Sequence, residues 1–231
     1  MEEFDVVIIG SGVAGMTAAI YTSRLGLKTQ VIENLIPGGQ IINVEKIEDF
    51  PGFPQGISGA ELTDLIKTQA QINGSEFVMS EISEISKKED VWTIQSSVSK
   101  VITKTIIIAA GSTLSKLNVP GEKELIGGGV SYCATCDGAF FIDQKVCVIG
   151  GGDSALQEAL SLSEFAKEIY ILCNKSSLHA QKILQDRVES DKKISIKFNV
   201  QISEIHGDGM VEHISILNLS NNETTKMKMD G

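Results

Sequence analysis

Cys133 and Cys136 stand two residues apart, and Asp137-Gly138 follows them directly. Two cysteines at this spacing can close a small disulfide, and each alters the acidity of the other. A dithiol of this kind exchanges disulfides through a mixed-disulfide intermediate. Asp137 is placed to move a proton to or from a thiolate. Zinc is the competing chemistry for such a pair. A structural zinc site takes four ligands, usually as two close pairs. The other cysteines, Cys147 and Cys173, are single and fall in strand-like runs. His179, His206 and His213 form no pair with metal-ligand spacing. No metal site is therefore expected. Cys147 and Cys173 read as small core residues, Cys173 beside a nucleotide pocket.

Two glycine-rich loops supply the second kind of chemistry. Gly10-x-Gly12-x-x-Gly15 follows an apolar run and opens a helix-like stretch. Gly10 permits a tight turn, Gly12 admits a pyrophosphate to the backbone, and Gly15 allows close helix–strand packing. The helix start presents N–H groups and positive potential to phosphates. Glu33 lies at the end of the next strand, 23 residues after Gly10, where a carboxylate can bind a ribose hydroxyl. Gly150-x-Gly152-x-x-Ala155 repeats the pattern. The same offset from Gly150 lands on Cys173, so no acid stands there. That absence removes the group that would repel a 2′-phosphate, and Lys175, with His179 near it, could attract one. The second site is expected to favour NADPH.

These loops require βαβ units to hold them. Residues 5–9 and 145–149 are β-branched runs, and helix-like stretches are expected over Met16–Leu25 and Leu156–Phe165. Strands are expected next, over Lys28–Glu33 and Glu168–Cys173. Between the units, Val91–Gln95 and Val101–Ala110 read as strands and Ala60–Asn73 as a helix. Gly111–Glu122, with Pro120-Gly121, reads as a linker. Asn218–Lys226 reads as a turn between late strands. The fold class expected is α/β, with two Rossmann-like dinucleotide-binding domains over 1–113 and 114–231. The last residues, up to Asp230-Gly231, show no evident closing element and suggest truncation.

Bulk properties narrow the function. The chain has 231 residues, 42% of them hydrophobic, with a formal net charge of −10. An acidic chain repels phosphate backbones, so nucleic acid is not an expected partner. No apolar run approaches the roughly 20 residues of a membrane helix. Met1-Glu2-Glu3 lacks the basic start of a secretory signal. A cytoplasmic protein is expected.

A first glycine loop, then a redox dithiol, then a second glycine loop is a specific order. It resembles the low-molecular-weight bacterial thioredoxin reductases. The motifs that carry the resemblance are Gly10-Ser11-Gly12-Val13-Ala14-Gly15, Gly38-Gly39-Gln40, Ile47-Glu48-Asp49-Phe50-Pro51, the run ending in Gly111, Val119-Pro120-Gly121-Glu122, Tyr132-Cys133-Ala134-Thr135-Cys136-Asp137-Gly138, and Gly150-Gly151-Gly152-Asp153-Ser154-Ala155. The resemblance implies FAD in the first fold and NADPH in the second. It implies that electrons pass to a Cys133–Cys136 disulfide and on to thioredoxin. It makes Cys136 the flavin-side sulfur, Cys133 the one that attacks thioredoxin, and Asp137 the acid/base. Domain rotation, with Gly111–Glu122 as one hinge, and a homodimer are further implications.

Three departures qualify it. The family's His-Arg-Arg signature, with a further Arg, is replaced by Cys173-Asn174-Lys175 and His179. NADH or ferredoxin is thus an alternative donor. Asp49 stands where the family commonly has a flavin-contacting Asn. The C-terminal segment that completes the family's FAD domain is missing, so weak flavin retention is expected. An inactive or redox-responsive binding protein is the non-enzyme alternative. The flavoprotein of a peroxide-reducing system is disfavoured, because the first strand starts too early for its extra dithiol domain.

Overall fold

A computed structural model describes residues 2–231. The chain divides into two compact units, Met1–Thr113 and Leu114–Gly231. The first holds β1 (Glu2–Ile9), α1 (Val13–Arg24), β2 (Thr29–Glu33), α2 (Gly59–Ile72), β3 (Glu76–Met79), β4 (Ile82–Lys88), β5 (Val91–Ser96) and β6 (Lys100–Ile108). Its sheet runs β3-β2-β1-β6-β5-β4. The β1–β2, β2–β3 and β1–β6 pairs are parallel. The β4–β5 and β5–β6 pairs form an antiparallel meander.

Side chains alternate across a strand, so β1 feeds two cores. Val6 and Ile8 pack with Met16, Ala19, Leu62 and Ile66 from the two helices. Val7 packs on the other side with Ile32, Ile94 and Val101. α2 starts where Ser58 Oγ accepts a hydrogen bond from Glu61 N at 3.2 Å. Ser58 and Glu61 have the spacing of a capping box. Ser58→Ala is expected to cost about 1 kcal/mol. Urea unfolding would show this as a lower midpoint with an unchanged slope.

The second unit holds α3 (Ala134–Asp137), β7 (Lys145–Ile149), α4 (Asp153–Leu162), β8 (Glu168–Leu172), α5 (Lys182–Ser190), β9 (Ile194–Lys197), β10 (Val200–Gly207), β11 (Val211–Asn218) and β12 (Thr224–Lys228). β7-β8-β9 form a parallel sheet and β10-β11-β12 an antiparallel one. Leu156, Ala159, Ile169 and Ile171 centre one core. Leu172, Ile202, Ile214 and Met229 centre the other.

Two expectations need correction. Both loop helices start three residues early, at Val13 and Asp153, and α4 stops at Leu162. Gly12 and Gly152 are extended N-caps, so the helix begins directly after the second glycine of each loop. The turn expected over Asn218–Lys226 ends sooner, because Thr224–Lys226 pair with Leu217–Ser215 in β12. The last residues are also fixed in place. Met229 is fully buried, Asp230 N donates to Lys145 O, and Cys147 N donates to Gly231 O.

Candidate active site

In the first unit the glycine loop is built by close approach. Gly10 has φ +97°, and a Cβ there would lie 2.3 Å from Ala109 O. A Cβ on Gly15 would lie 2.0 Å from Gly10 O. α1 can therefore pack directly on the turn that precedes it. Glu33, at the end of β2, accepts from Ser11 N and Ser11 Oγ, each at 2.8 Å. Leu35 N donates to its other oxygen at 3.2 Å. Burial pushes the Glu33 carboxyl up, but these donors outweigh it and hold it below the ordinary carboxylate range. An ionised acceptor thus sits beside the loop, as ribose binding requires.

Two further segments converge on this loop. Gly38 N donates to Ser11 O at 3.0 Å, and a Cβ on Gly39 would lie 2.9 Å from Gly12 Cα. Gln40 Nε2 donates to Ser112 O, next to Gly111. Residues 10–15, 33, 38–40 and 111–112 are therefore one cluster. Asp49 lies apart in sequence, in a turn closed by the Ile47–Ile57 bridge. Val13 is partly exposed and Ala14 exposed in the first turn of α1.

The second loop is assembled differently. A Cβ on Gly151 would come 2.6 Å from Cys173 Sγ, and one on Gly152 would come 3.2 Å from His179 Nε2. His179 N also donates to Gly151 O at 2.9 Å. Cys173 is buried beneath the loop, whereas His179 and Lys175 are exposed. Asp153 is held by Gln181 N at 2.6 Å and by Gln181 Nε2 at 3.1 Å. Ser154 is exposed and Ala155 buried. The loop has the bare backbone a pyrophosphate needs, with no ribose-binding carboxylate at the end of β8.

Cys133 and Cys136 form a disulfide with a Cα–Cα distance of 5.3 Å. Cys133 N-caps α3, and its Sγ accepts from Cys136 N at 3.1 Å. Cys133 is half-buried and Cys136 exposed. Asp137 accepts from Ser131 Oγ at 2.6 Å, and Cys133 N donates to the same hydroxyl at 3.1 Å. Ser131 thus ties the two ends of the redox turn together. Tyr132 OH donates to Glu122 at 2.9 Å, and Ala134 N donates to Glu158 Oε2. No sequence pattern marks Ser131 or Glu158, and Tyr132 enters the sequence reading only as the first residue of the motif around the cysteines. Asp137, Glu122 and Ala134, the groups they reach to brace the turn, lie 6, 10 and 24 residues away, so no local pattern marks these contacts. A cavity of about 360 Å³ reaches the turn, lined by Tyr132, Cys133, Ala134, Cys147, Ser154 and Glu158 among others. Burial pushes the Cys147 thiol up to about 12, so it adds little thiolate chemistry.

A dinucleotide cradle in each unit, with a disulfide in the second, defines a dinucleotide-dependent disulfide oxidoreductase. The family model described as pyridine nucleotide-disulphide oxidoreductase matches residues 4–231. A thioredoxin reductase of Bacillus subtilis is 42% identical over 229 residues, covering 99% of this chain and 72% of that protein. One from Streptomyces clavuligerus is 41% identical over 98% of this chain and 71% of its own length. The crystal structure of Lactococcus lactis thioredoxin reductase in its FR conformation matches with a TM-score of 0.94 at 41% identity, over 99% of this chain and 75% of that one. That of T. acidophilum thioredoxin reductase matches at 0.92 and 32%, over 100% of this chain and 76% of that one. The chain belongs to the pyridine nucleotide-disulphide oxidoreductase family, and within it to the thioredoxin reductases.

Proposed function

We propose that the chain reduces the disulfide of a thioredoxin or thioredoxin-like protein through Cys133 and Cys136. The observation that carries this is the disulfide itself, exposed at Cys136 and set in a turn that Ser131 and Glu158 anchor. FAD and a nicotinamide dinucleotide, when bound, supply the electron pair. The Gly10–Gly15 loop, Glu33, Gly38–Gln40, Asp49 and Gly111 are the residues that would hold FAD. The Gly150–Ala155 loop and Lys175 would hold NADPH.

Reduction of the disulfide breaks the S–S bond, with two electrons and two protons forming two thiols. One sulfur, as thiolate, then attacks the partner's disulfide, and the other resolves the mixed disulfide. Cys133 is the sulfur that attacks the partner's disulfide and Cys136, exposed at the surface of its unit, the one that meets the flavin, as the resemblance implies. Asp137 accepts or returns the proton, with Ser131 fixing its carboxylate. A homodimer in the cytoplasm fits this reading.

The electron donor is the part that most needs measurement. The flavin-reconstituted protein would be titrated without oxygen by NADPH, then NADH. Bleaching of flavin absorbance by NADPH, with recovery on adding oxidised thioredoxin, is the expected result. Bleaching by NADH alone would assign the loop to that nucleotide. No bleaching by either, with a flavin that dithionite still reduces, would sink the nicotinamide reading and leave ferredoxin to test.

A further inference from the structure

The backbone donors of the redox turn are nearly all accounted for. Cys133 N goes to Ser131 Oγ, Cys136 N to Cys133 Sγ, and Asp137 N to Cys133 O. Ala134 N, between the two cysteines, goes to a carboxylate: Glu158, on α4. Its helix neighbours Leu156, Ala159 and Leu162 face the core, so α4 holds Glu158 rigidly against α3.

The electrical surroundings are one-sided. Glu158 and Glu122 are the only charged side chains among the described residues that line the cavity beside Cys133. Asp137 faces the turn from α3, and Glu122 reaches it through Tyr132. Most of the other lining side chains are apolar, so the field of a carboxylate is screened less than in water. Strongly oxidising dithiols have the opposite surroundings, in which cations or helix ends stabilise the thiolate and hence the reduced pair.

The geometry points to Glu158 as a positioning residue that keeps the Cys133–Cys136 pair strongly reducing. It anchors the turn through Ala134 N and sets a negative charge beside the sulfurs, which disfavours the thiolate. The reduced pair is then the higher-energy partner and passes its electrons on to another disulfide. This rests on reading Cys133–Cys136 as the redox centre.

The test uses the full chain equilibrated with mixtures of reduced and oxidised dithiothreitol. Each step breaks the Cys133–Cys136 bond and forms the reagent's own cyclic disulfide, so electrons and protons balance. Rapid alkylation and mass measurement read the reduced fraction. Glu158→Gln keeps an acceptor for Ala134 N and removes the charge. The equilibrium constant for reduction should rise about tenfold, or ~30 mV toward a more oxidising pair. The pH profile of iodoacetamide alkylation of the reduced chain should move to lower pH. A Glu158→Gln chain with wild-type equilibrium and profile would overturn the proposal. So would a shift seen in Glu158→Ala but not in Glu158→Gln, which would make the role purely structural. If the wild-type pair does not cycle with dithiothreitol at all, the redox-centre reading itself fails, which is a separate outcome.

Discussion

Cys133→Ser and Cys136→Ser should each abolish thioredoxin reduction, a loss on the order of 10³-fold or more. Serine cannot form the S–S bond that stores the electron pair, so neither variant completes a cycle. The two should differ in what they trap. Cys133→Ser leaves the exposed Cys136, with no neighbour to resolve a mixed disulfide. Cys136→Ser leaves the half-buried Cys133, whose sulfur accepts the N–H of residue 136. Incubation with oxidised thioredoxin, followed by non-reducing mass analysis, should show faster and fuller capture by Cys136→Ser, which keeps the attacking sulfur and lacks the resolving one. The reverse order would give the attacking role to Cys136. Neither Cys147 nor Cys173 should form a comparable adduct. The first has a thiol raised to about 12, and the second is 1% exposed.

The parts of this molecule legible in sequence are those governed by local rules. The glycine loops and β-branched runs announced both βαβ units, because each rule acts over a few residues. The apolar spacing of Leu62, Leu65, Ile66 and Ala70 puts α2 within one residue of its bounds at each end. β4 was not visible, because Ile82–Lys88 is largely polar and exposed and is held by backbone pairing to β5. The start of β12, Thr224–Lys226, reads as turn in sequence for the same reason: it is polar, and only its pairing with β11 makes it a strand. The cysteines were read from their spacing, but their supports were not. Glu158 reaches Ala134 across 24 positions of chain, and Glu122 reaches Tyr132 across 10. Such contacts follow from the packing of α4 and of the 117–122 turn, which single-residue patterns do not encode.

Loss of Glu122 should destabilise the second unit strongly. It is 2% exposed and accepts three hydrogen bonds, from Leu117 N at 2.9 Å, Asn118 N at 2.6 Å and Tyr132 OH at 2.9 Å. Glu122→Ala strands all three donors, at an expected cost of about 2–4 kcal/mol after partial rescue by water. Burial pushes the Glu122 carboxyl up, but Leu117 N–H, the Tyr132 hydroxyl and Asn118 N–H together hold it below its ordinary range. The unfolded chain therefore binds this proton first as pH falls. Its contribution is complete above the ordinary carboxylate range and is lost as pH drops through the lower, folded-state value. Burial and then Glu122 push the Tyr132 phenol up, so a second loss begins as pH rises through the ordinary tyrosine range. Other carboxylates, Glu33 and Glu168 among them, are also held low, so wild-type stability alone cannot isolate Glu122. The difference between wild type and Glu122→Ala can. Measured by urea unfolding, it should be largest near neutral pH and shrink toward both extremes. A difference that stays constant across that span would mean the carboxylate's charge contributes nothing to holding the turn beneath the redox pair.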